Sequence, residues 1–426
     1  MVESLDKNIY EKYGLKGKPV VVAYSGGLDT TFSTVYLSRI CGAKVCDVTV
    51  DTGNFSQDKK KGIADRAMKY GASSHKWIDG RQGLFDRYIK YLLFGNYLKG
   101  GTYTLSAAVS RYTIAESCAE EAKGIGAAAV AHGCTGAGND QVRFGNTFEV
   151  LTPDLPILLP IRDLAATREQ ELQFLSDQGF PVKSEFNKGE YSIDEGMWGV
   201  TIGGKETKDT YGLPPDSAYL RTAPIAQTPD QPEEVVIGFE KGIPVSLGNE
   251  RLGPLALIER LDAIAARHGV GRTTALNYTV TGIKGRIAVE APAASVLIAA
   301  HRELEKAVLT RWQAKVKDEC ADYYGVMIYD GNAFDPAIKD LKALLESSQS
   351  RVTGTVGVRL FKGNCILIGS KSPYSLLAPE IATYGEETKY WTGAEAAAFT
   401  KLLGVESKVA AAAERKGDGE LGAPVP

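Results

Sequence analysis

The feature that most constrains this chain is the passage from residues 19–24, PVVVAY, through Gly26-Gly27 into the helically spaced residues 28–41. A short, wholly apolar run has no water-facing side, so it reads as a strand buried on both faces. The unit then repeats. Lys44–Asp51 reads as a second strand, 57–70 as a helix, Ser74–Asp79 as a strand, 106–124 as a helix and 127–132 (AAAVAH) as a strand. Such alternation predicts an α/β fold: a doubly wound parallel sheet with helices on both faces and ligands beyond the carboxyl ends of its strands. Two polar, glycine-rich segments fall at such ends, Ser25-Gly26-Gly27 after the first strand and 133–143 after the strand ending at His132.

From about residue 180 glycine and proline become frequent (203–204, 214–215, and TPDQP at 228–232), which predicts loops leading into a second domain. Strands are expected there at 235–240, 275–282, 351–360 and 364–369, with helices near 252–268, 292–320 and 333–349, so this half is α+β. Residues 405–416 form an alanine-rich helix. A lone helix of about 12 residues is marginal in water, so it is expected to pack on another surface, such as a second subunit. The tail 417–426 reads as disordered.

Composition removes several function classes. The 426 residues carry 49 Lys+Arg against 52 Asp+Glu, a formal net charge of −3, so there is no basic excess for a nucleic-acid partner. No apolar run approaches the roughly 18 residues needed to span a bilayer, and the polar start MVESLDKNIYEKYG lacks a signal peptide's apolar segment. A soluble, cytoplasmic protein without a membrane partner is expected. The six cysteines contain no CxxC pair and, with four histidines, outline no zinc site.

Ser25-Gly26-Gly27-Leu28-Asp29-Thr30-Thr31 opens a helix directly after a buried strand. There the glycines let backbone N–H groups approach an anion, the hydroxyls add donors, and the helix start adds its positive end. The same residues also suit a plain helix N-cap. The run is neither a Walker loop, for lack of Gly-Lys-Ser/Thr, nor a GxGxxG turn. The second segment, 131–144 (AHGCTGAGNDQVRF), packs an amide, a carboxylate and a guanidinium behind three glycines. If Gly138 opens a helix, Asn139 and Arg143 are four apart and share a face, so they could grip one ligand. A capped helix with solvated Asp140 and Arg143 is the alternative, and His132 alone reads as a packed strand-end histidine.

The 25–31 run resembles the SGGxDS/T signature of the PP-loop ATP pyrophosphatases. AYSGGLDTT at 23–31, AHGCTGAGNDQVRF at 131–144, TREQE from Thr167, YSIDEGMWG from Tyr191, HGVGR at 268–272 and GIKGRIAVEAP at 282–292 together resemble, in order, the argininosuccinate synthase family over nearly the whole chain. That resemblance implies an extension at 1–17, a nucleotide-binding PP-loop domain at 18–182, a synthetase and multimerisation domain at 183–395, an oligomerisation helix at 396–416 and a tail at 417–426. It further implies a homotetramer and an AMP-forming ligase of arginine biosynthesis that adenylates the ureido oxygen of citrulline and joins it to aspartate.

Carried over position by position, the resemblance assigns ATP to Ala23, Tyr24, Ser25, Gly26, Gly27, Leu28, Asp29, Thr30, Thr31, Val50 and Gly133, with Mg²⁺ at Asp29. Thr135, Asn139 and Asp140 correspond to aspartate contacts. Tyr103, Asn139, Arg143 and Ser192 correspond to contacts with citrulline, and Arg111 to a further pocket residue. Ser25, Asp29 and Arg143 are the expected catalytic groups. Four substrate positions depart from the family: Ala108 and Thr201 each stand where Ser is usual, Asn277 stands for Glu and Val289 for Tyr. Ala137 replaces a Lys near the phosphates. A neutral Asn facing an α-ammonium forgoes a charge-assisted bond of about 1.5–3 kcal/mol. Two alternatives therefore stand beside citrulline: another ureido, amide or carboxylate acceptor, and a non-catalytic nucleotide or aspartate sensor.

Overall fold

The computed structural model describes residues 5–53, 55–136, 138–180, 186, 189–378, 380–382, 384 and 388–421. The first sheet contains β1 (Pro19–Ala23), β2 (Lys44–Asp51), β3 (Ser74–Asp79), β4 (Ala129–His132) and β5 (Ile157–Leu158). They are all parallel, in the order β3-β2-β1-β4-β5. β1 is central, and its apolar run divides between two cores as the pleat requires. Val20 and Val22 pack with Phe32 and Tyr36 on one face, while Val21 and Ala23 pack with Val48 and Phe148 on the other. The expected helix 28–41 begins as Leu28–Val35 and widens into a π-helical turn over Tyr36–Ile40.

One polar residue sits in this core. Asp47 of β2 is fully buried; its Oδ1 accepts from Thr34 Oγ1 at 2.8 Å while Oδ2 has no partner. Burial pushes its pKa well above the ordinary value of 3.8, against the hydrogen bond from Thr34. The folded chain thus holds a proton that the unfolded chain releases near pH 4, and stability falls as pH rises above that point. Asp47→Asn removes this slope. The Tm difference between variant and parent is expected to widen in the variant's favour from pH 4 to pH 8 by calorimetry; a constant difference would contradict it.

The second half holds two antiparallel sheets. β6 (Tyr191–Gly196) and β7 (Gly199–Gly204) form a hairpin turning at Met197-Trp198. β8 (Glu233–Glu240), β9 (Ile243–Leu247), β10 (Glu250–Arg251), β11 (Arg272–Tyr278), β12 (Lys284–Glu290), β13 (Gly354–Phe361) and β14 (Asn364–Lys371) follow. The orders are β11-β12-β7-β6 and β10-β9-β8-β13-β14. The glycine pair at 203–204, expected in a loop, closes β7. The strand expected at 275–282 runs over Arg272–Tyr278 instead. The helix expected at 292–320 is two, Pro292–Val308 and Arg311–Asp330, because Leu309 is extended and Thr310 starts a new helix through a capping box with Gln313.

Residues 1–374 and 375–426 form two compact units. The second contains Gly393–Leu403, capped by Thr392 and Glu395, and Val405–Leu421. The last helix therefore runs past the expected 416 into the stretch read as a disordered tail, and 422–426 lie outside the described residues. Among the described residues no helix is long and apolar enough to cross a membrane.

Candidate active site

The 25–31 loop leaves β1 where the strand order reverses, with β2 and β3 on one side and β4 and β5 on the other. The crevice of a doubly wound sheet opens at that point. Gly26 takes φ +76°, and a Cβ there would stand 3.0 Å from Ile63 Cγ1. Ser25 Oγ lies 3.2 Å from Thr30 Oγ1 and accepts from the Gly27 N–H at 3.3 Å. Tyr24 Oη lies 3.1 Å from Thr31 Oγ1, and Arg66 donates to the Gly26 carbonyl at 2.6 Å. The loop is thus held at the start of the Leu28–Val35 helix, whose free N–H groups suit a phosphate. Ala23 and Leu28, at the ends of β1 and of that helix, are buried.

Gly133, one residue past β4, meets this loop directly. A Cβ on Gly133 would stand 2.9 Å from Thr30 Cγ2 and 3.0 Å from the Thr30 nitrogen. Gly133→Ala must push the two segments apart, and ATP affinity is expected to fall about tenfold, ~1.4 kcal/mol, by equilibrium titration; an unchanged affinity would contradict the shared crevice. Val50 lies two residues beyond Val48, the last β2 partner of β1, at the carboxyl end of the sheet. A cleft of about 510 Å³ opens beside it, between Asp51 and Gly53 and the Pro254–Arg267 helix, and Glu195 and Arg221 also line it. Its lining does not include the 25–31 loop.

Asp29 is partly exposed at the loop's mouth, near enough to Glu171 for each to act on the other's titration. Burial raises the pKa of both groups. In Glu171 the adjacent Asp29 charge adds to burial and carries the value to about 8, while Arg168 opposes the rise in both. His132 is buried and stacked on Phe144 at 4.9 Å; burial lowers its pKa to about 3, so it is a neutral packing residue.

The second segment forms a network. The helix Asp140–Leu151 begins directly after Asn139. Arg143, 3% exposed, donates to Asp140 Oδ1 at 2.8 Å and to the Tyr329 carbonyl at 2.7 Å. Asn139 donates from Nδ2 to Tyr329 Oη at 3.1 Å and accepts at Oδ1 from the Val280 N–H at 2.9 Å. Asn139 and Arg143 therefore share a face and both grip Tyr329. Arg111, on the helix Ser106–Gly124, donates to Asp140 Oδ2 at 2.8 Å and also to Asp194. Burial works against the Asp140 carboxylate, but Arg111 and Arg143 outweigh it and hold the pKa below the ordinary value.

Strand register assembles the remaining positions. Asp194 pairs with Thr201, Thr201 with Val289, and Val289 with Thr273, which puts all four on one face of the β11-β12-β7-β6 sheet. Ser192 and Asn277 lie on that face by alternation. Asp194 reaches Arg111 from it, and Val289 belongs to the same buried core as Tyr103 and Ala108. The Tyr103 hydroxyl is buried, which pushes its pKa up to about 12. Asn277 Oδ1 lies where a Cβ on Gly100 would meet it at 2.7 Å, beside the turn carrying Lys99, whose ammonium sits 4.0 Å over the Tyr329 ring. Thr135 is exposed on the β4 loop, and Ala137 lies outside the described residues. Tyr329, Asp194, Lys99 and Glu171 join the site without having been anticipated; Asp194, inside YSIDEGMWG, and Glu171, inside TREQE, lay in runs singled out for resemblance alone.

Two family models match the chain. Residues 19–181 match the arginosuccinate synthase N-terminal HUP domain, and 191–410 match the arginosuccinate synthase C-terminal domain. The chain is 40% identical to the argininosuccinate synthase of Methanocaldococcus jannaschii over 86% of its own length and 92% of that protein. It is 39% identical to that of Pyrococcus furiosus over 92% and 94%, and 41% identical to that of Synechocystis over 92% and 98%. With both halves matched along almost their whole length, this chain belongs to the argininosuccinate synthase family.

Proposed function

We propose that this chain is an ATP-dependent ligase that joins citrulline to aspartate, giving argininosuccinate, AMP and pyrophosphate. The observation that carries the reading is the contact of Gly133 with Thr30, which brings the phosphate loop and the Asn139–Asp140–Arg143 cluster to one crevice. The triphosphate lies on the 25–31 loop, and the nucleoside end follows the sheet edge past Val50. The ureido oxygen of citrulline attacks the α-phosphorus, and the bond to pyrophosphate breaks. The aspartate amine then attacks the ureido carbon, and AMP leaves with that oxygen. Adenylation is needed because an amide-type oxygen is otherwise a poor leaving group.

The chain's own residues orient and stabilise. Arg143 and Arg111 present positive charge in a largely water-excluded pocket, where it acts most strongly on developing negative charge. Asp140, Asn139 and Thr135 receive aspartate; Tyr103, Ser192, Thr201, Ala108, Asn277 and Val289 surround the acceptor. A bound Mg²⁺ supplies neutralisation of the leaving pyrophosphate, and the acidic Asp29 at the loop's mouth suits a hard cation. The homotetramer and a cytoplasmic setting belong to the same reading.

A second acceptor is favoured by one observation: Val289 is wholly buried and Ala108 lies in the same apolar core, so neither of these two positions offers an acceptor's tail a polar group. Citrulline labelled with ¹⁸O in its ureido group tests the mechanism. The label is expected in the AMP phosphate, and AMP free of label would overturn it.

A further inference from the structure

Lys99 is a half-buried cation at the acceptor end of the site, and neither adenylation nor transfer uses it. Its backbone fixes its place. The Lys99 N–H donates to the Tyr103 carbonyl at 2.8 Å, and the Lys99 carbonyl accepts from the Tyr103 N–H at 3.1 Å. The turn so closed contains Gly100 and Gly101 at φ +59° and +75°, a backbone that suits glycine. Gly100 lies against Asn277, whose Oδ1 a Cβ there would meet at 2.7 Å. Lys99 is thus tied to one acceptor-side residue and is next in the chain to a glycine that abuts another. Its ammonium lies 4.0 Å over the Tyr329 ring, which Arg143 also meets at 4.9 Å and whose hydroxyl accepts from Asn139 at 3.1 Å. A ring occupies one side of an ammonium that has three donor hydrogens. Among the described residues Lys99 has no ion pair with a carboxylate, and its ammonium donates no hydrogen bond. Arg111 and Arg143 pair with Asp140 and Asp194, so of these three cations Lys99 alone is left without a counter-ion. An anion brought to it would make a charge-assisted bond. A second ammonium would meet the like charge of Lys99, with only a neutral side chain at Asn277.

We propose that Lys99 determines acceptor specificity by binding the carboxylate on the acceptor's tail, while an α-ammonium beside that carboxylate goes unrecognised. The acceptor class is then a ureido compound ending in a carboxylate, with or without an amino group next to it, and citrulline is one member. This rests on the reading of the chain as a ligase whose acceptor lies among Tyr103, Asn277 and Val289, and the test separates the two.

Steady-state AMP formation by the full-length chain, at saturating ATP and aspartate, is compared for three acceptors. They are citrulline, citrulline without its amino group (5-ureidopentanoate) and citrulline without its carboxylate (4-ureidobutylamine). In kcat/KM the parent is expected to use 5-ureidopentanoate within about threefold of citrulline, and 4-ureidobutylamine at least about tenfold less well, the loss of one charge-assisted bond. Lys99→Met is expected to lower kcat/KM for the two carboxylate acceptors by at least about tenfold, chiefly through KM because the tail is held alike in ground and transition states. The same variant is expected to use 4-ureidobutylamine within about threefold of the parent. Lys99→Arg, which keeps the charge, is expected to recover most of the loss. The proposal is overturned if removing the amino group costs as much as removing the carboxylate. It is also overturned if Lys99→Met uses all three acceptors as the parent does, or loses all three alike. If Lys99→Met does not fold, Lys99→Gln replaces it under the same criteria. A parent chain that binds ATP but forms AMP with none of the three overturns the ligase reading itself.

Discussion

Asp140→Asn is expected to lower kcat/KM for aspartate by roughly 10²- to 10³-fold, about 3–4 kcal/mol of transition-state stabilisation. The two Asp140 oxygens accept from two different guanidiniums, Arg143 at Oδ1 and Arg111 at Oδ2, each at 2.8 Å. Asn offers one oxygen and turns an NH₂ toward the other arginine. One charge-assisted bond, worth about 1.5–3 kcal/mol, is lost, and a donor faces a donor in its place. The arginine that faces the NH₂ is then held only by its other bond, Arg143 by the Tyr329 carbonyl or Arg111 by Asp194. ATP affinity is expected to stay within about threefold, because the 25–31 loop is held by its own contacts with Thr30, Thr31 and Arg66. Steady-state kinetics with aspartate varied, beside ATP titration, checks both parts. A loss confined to ATP binding would contradict the account.

The largest stability effect is expected at Lys317. Its ammonium, 1% exposed, donates to Glu305 Oε2 at 2.7 Å. Gln349 donates to Glu305 Oε1 at 2.9 Å, and His301 lies between Gln349 and Asn96 at 2.9 and 2.7 Å. Every member of this network is buried. Lys317→Met leaves the Glu305 carboxylate without its counter-ion, a change that typically costs 3–5 kcal/mol, or on the order of 5 °C in Tm. Lys317→Met with Glu305→Gln removes the stranded charge and is expected to recover roughly 1–2 kcal/mol of that loss, a coupling within the usual range for touching residues. Urea unfolding of parent, singles and double measures it; additive losses would contradict the network. Asn96, tied to His301, precedes the turn that carries Lys99 and Tyr103.

The nucleotide-binding half was largely legible because its determinants are local. An apolar run must be buried, a glycine pair must turn, and the alternation of such units dictates a parallel sheet. The shared face of Asn139 and Arg143 followed from helical spacing alone, and both side chains do reach one partner. That partner could not be read. Tyr329 is 186 residues from Arg143, and Asp194 is 83 from Arg111, and periodicity carries no information over such separations. The hairpin Tyr191–Gly204 was hidden for another reason: its glycines read as loop, yet Gly204 takes φ +140° at the strand's end with Glu190 O too close for any Cβ. The break after Val308 was present in the sequence as Thr310-x-x-Gln313, a capping signal inside a run whose apolar spacing looked continuous. Val289 needed the structure as well, since only register shows it opposite Thr201 and Thr273.

The central claim is that one crevice adenylates citrulline and passes the product to aspartate. Its most direct test is AMP formation with ATP and both amino acids, the other product being identified by mass spectrometry. The account predicts sustained turnover only with citrulline and aspartate together, with one argininosuccinate formed per AMP. AMP formed at an equal rate without citrulline, or no AMP from a chain that binds ATP, would contradict it.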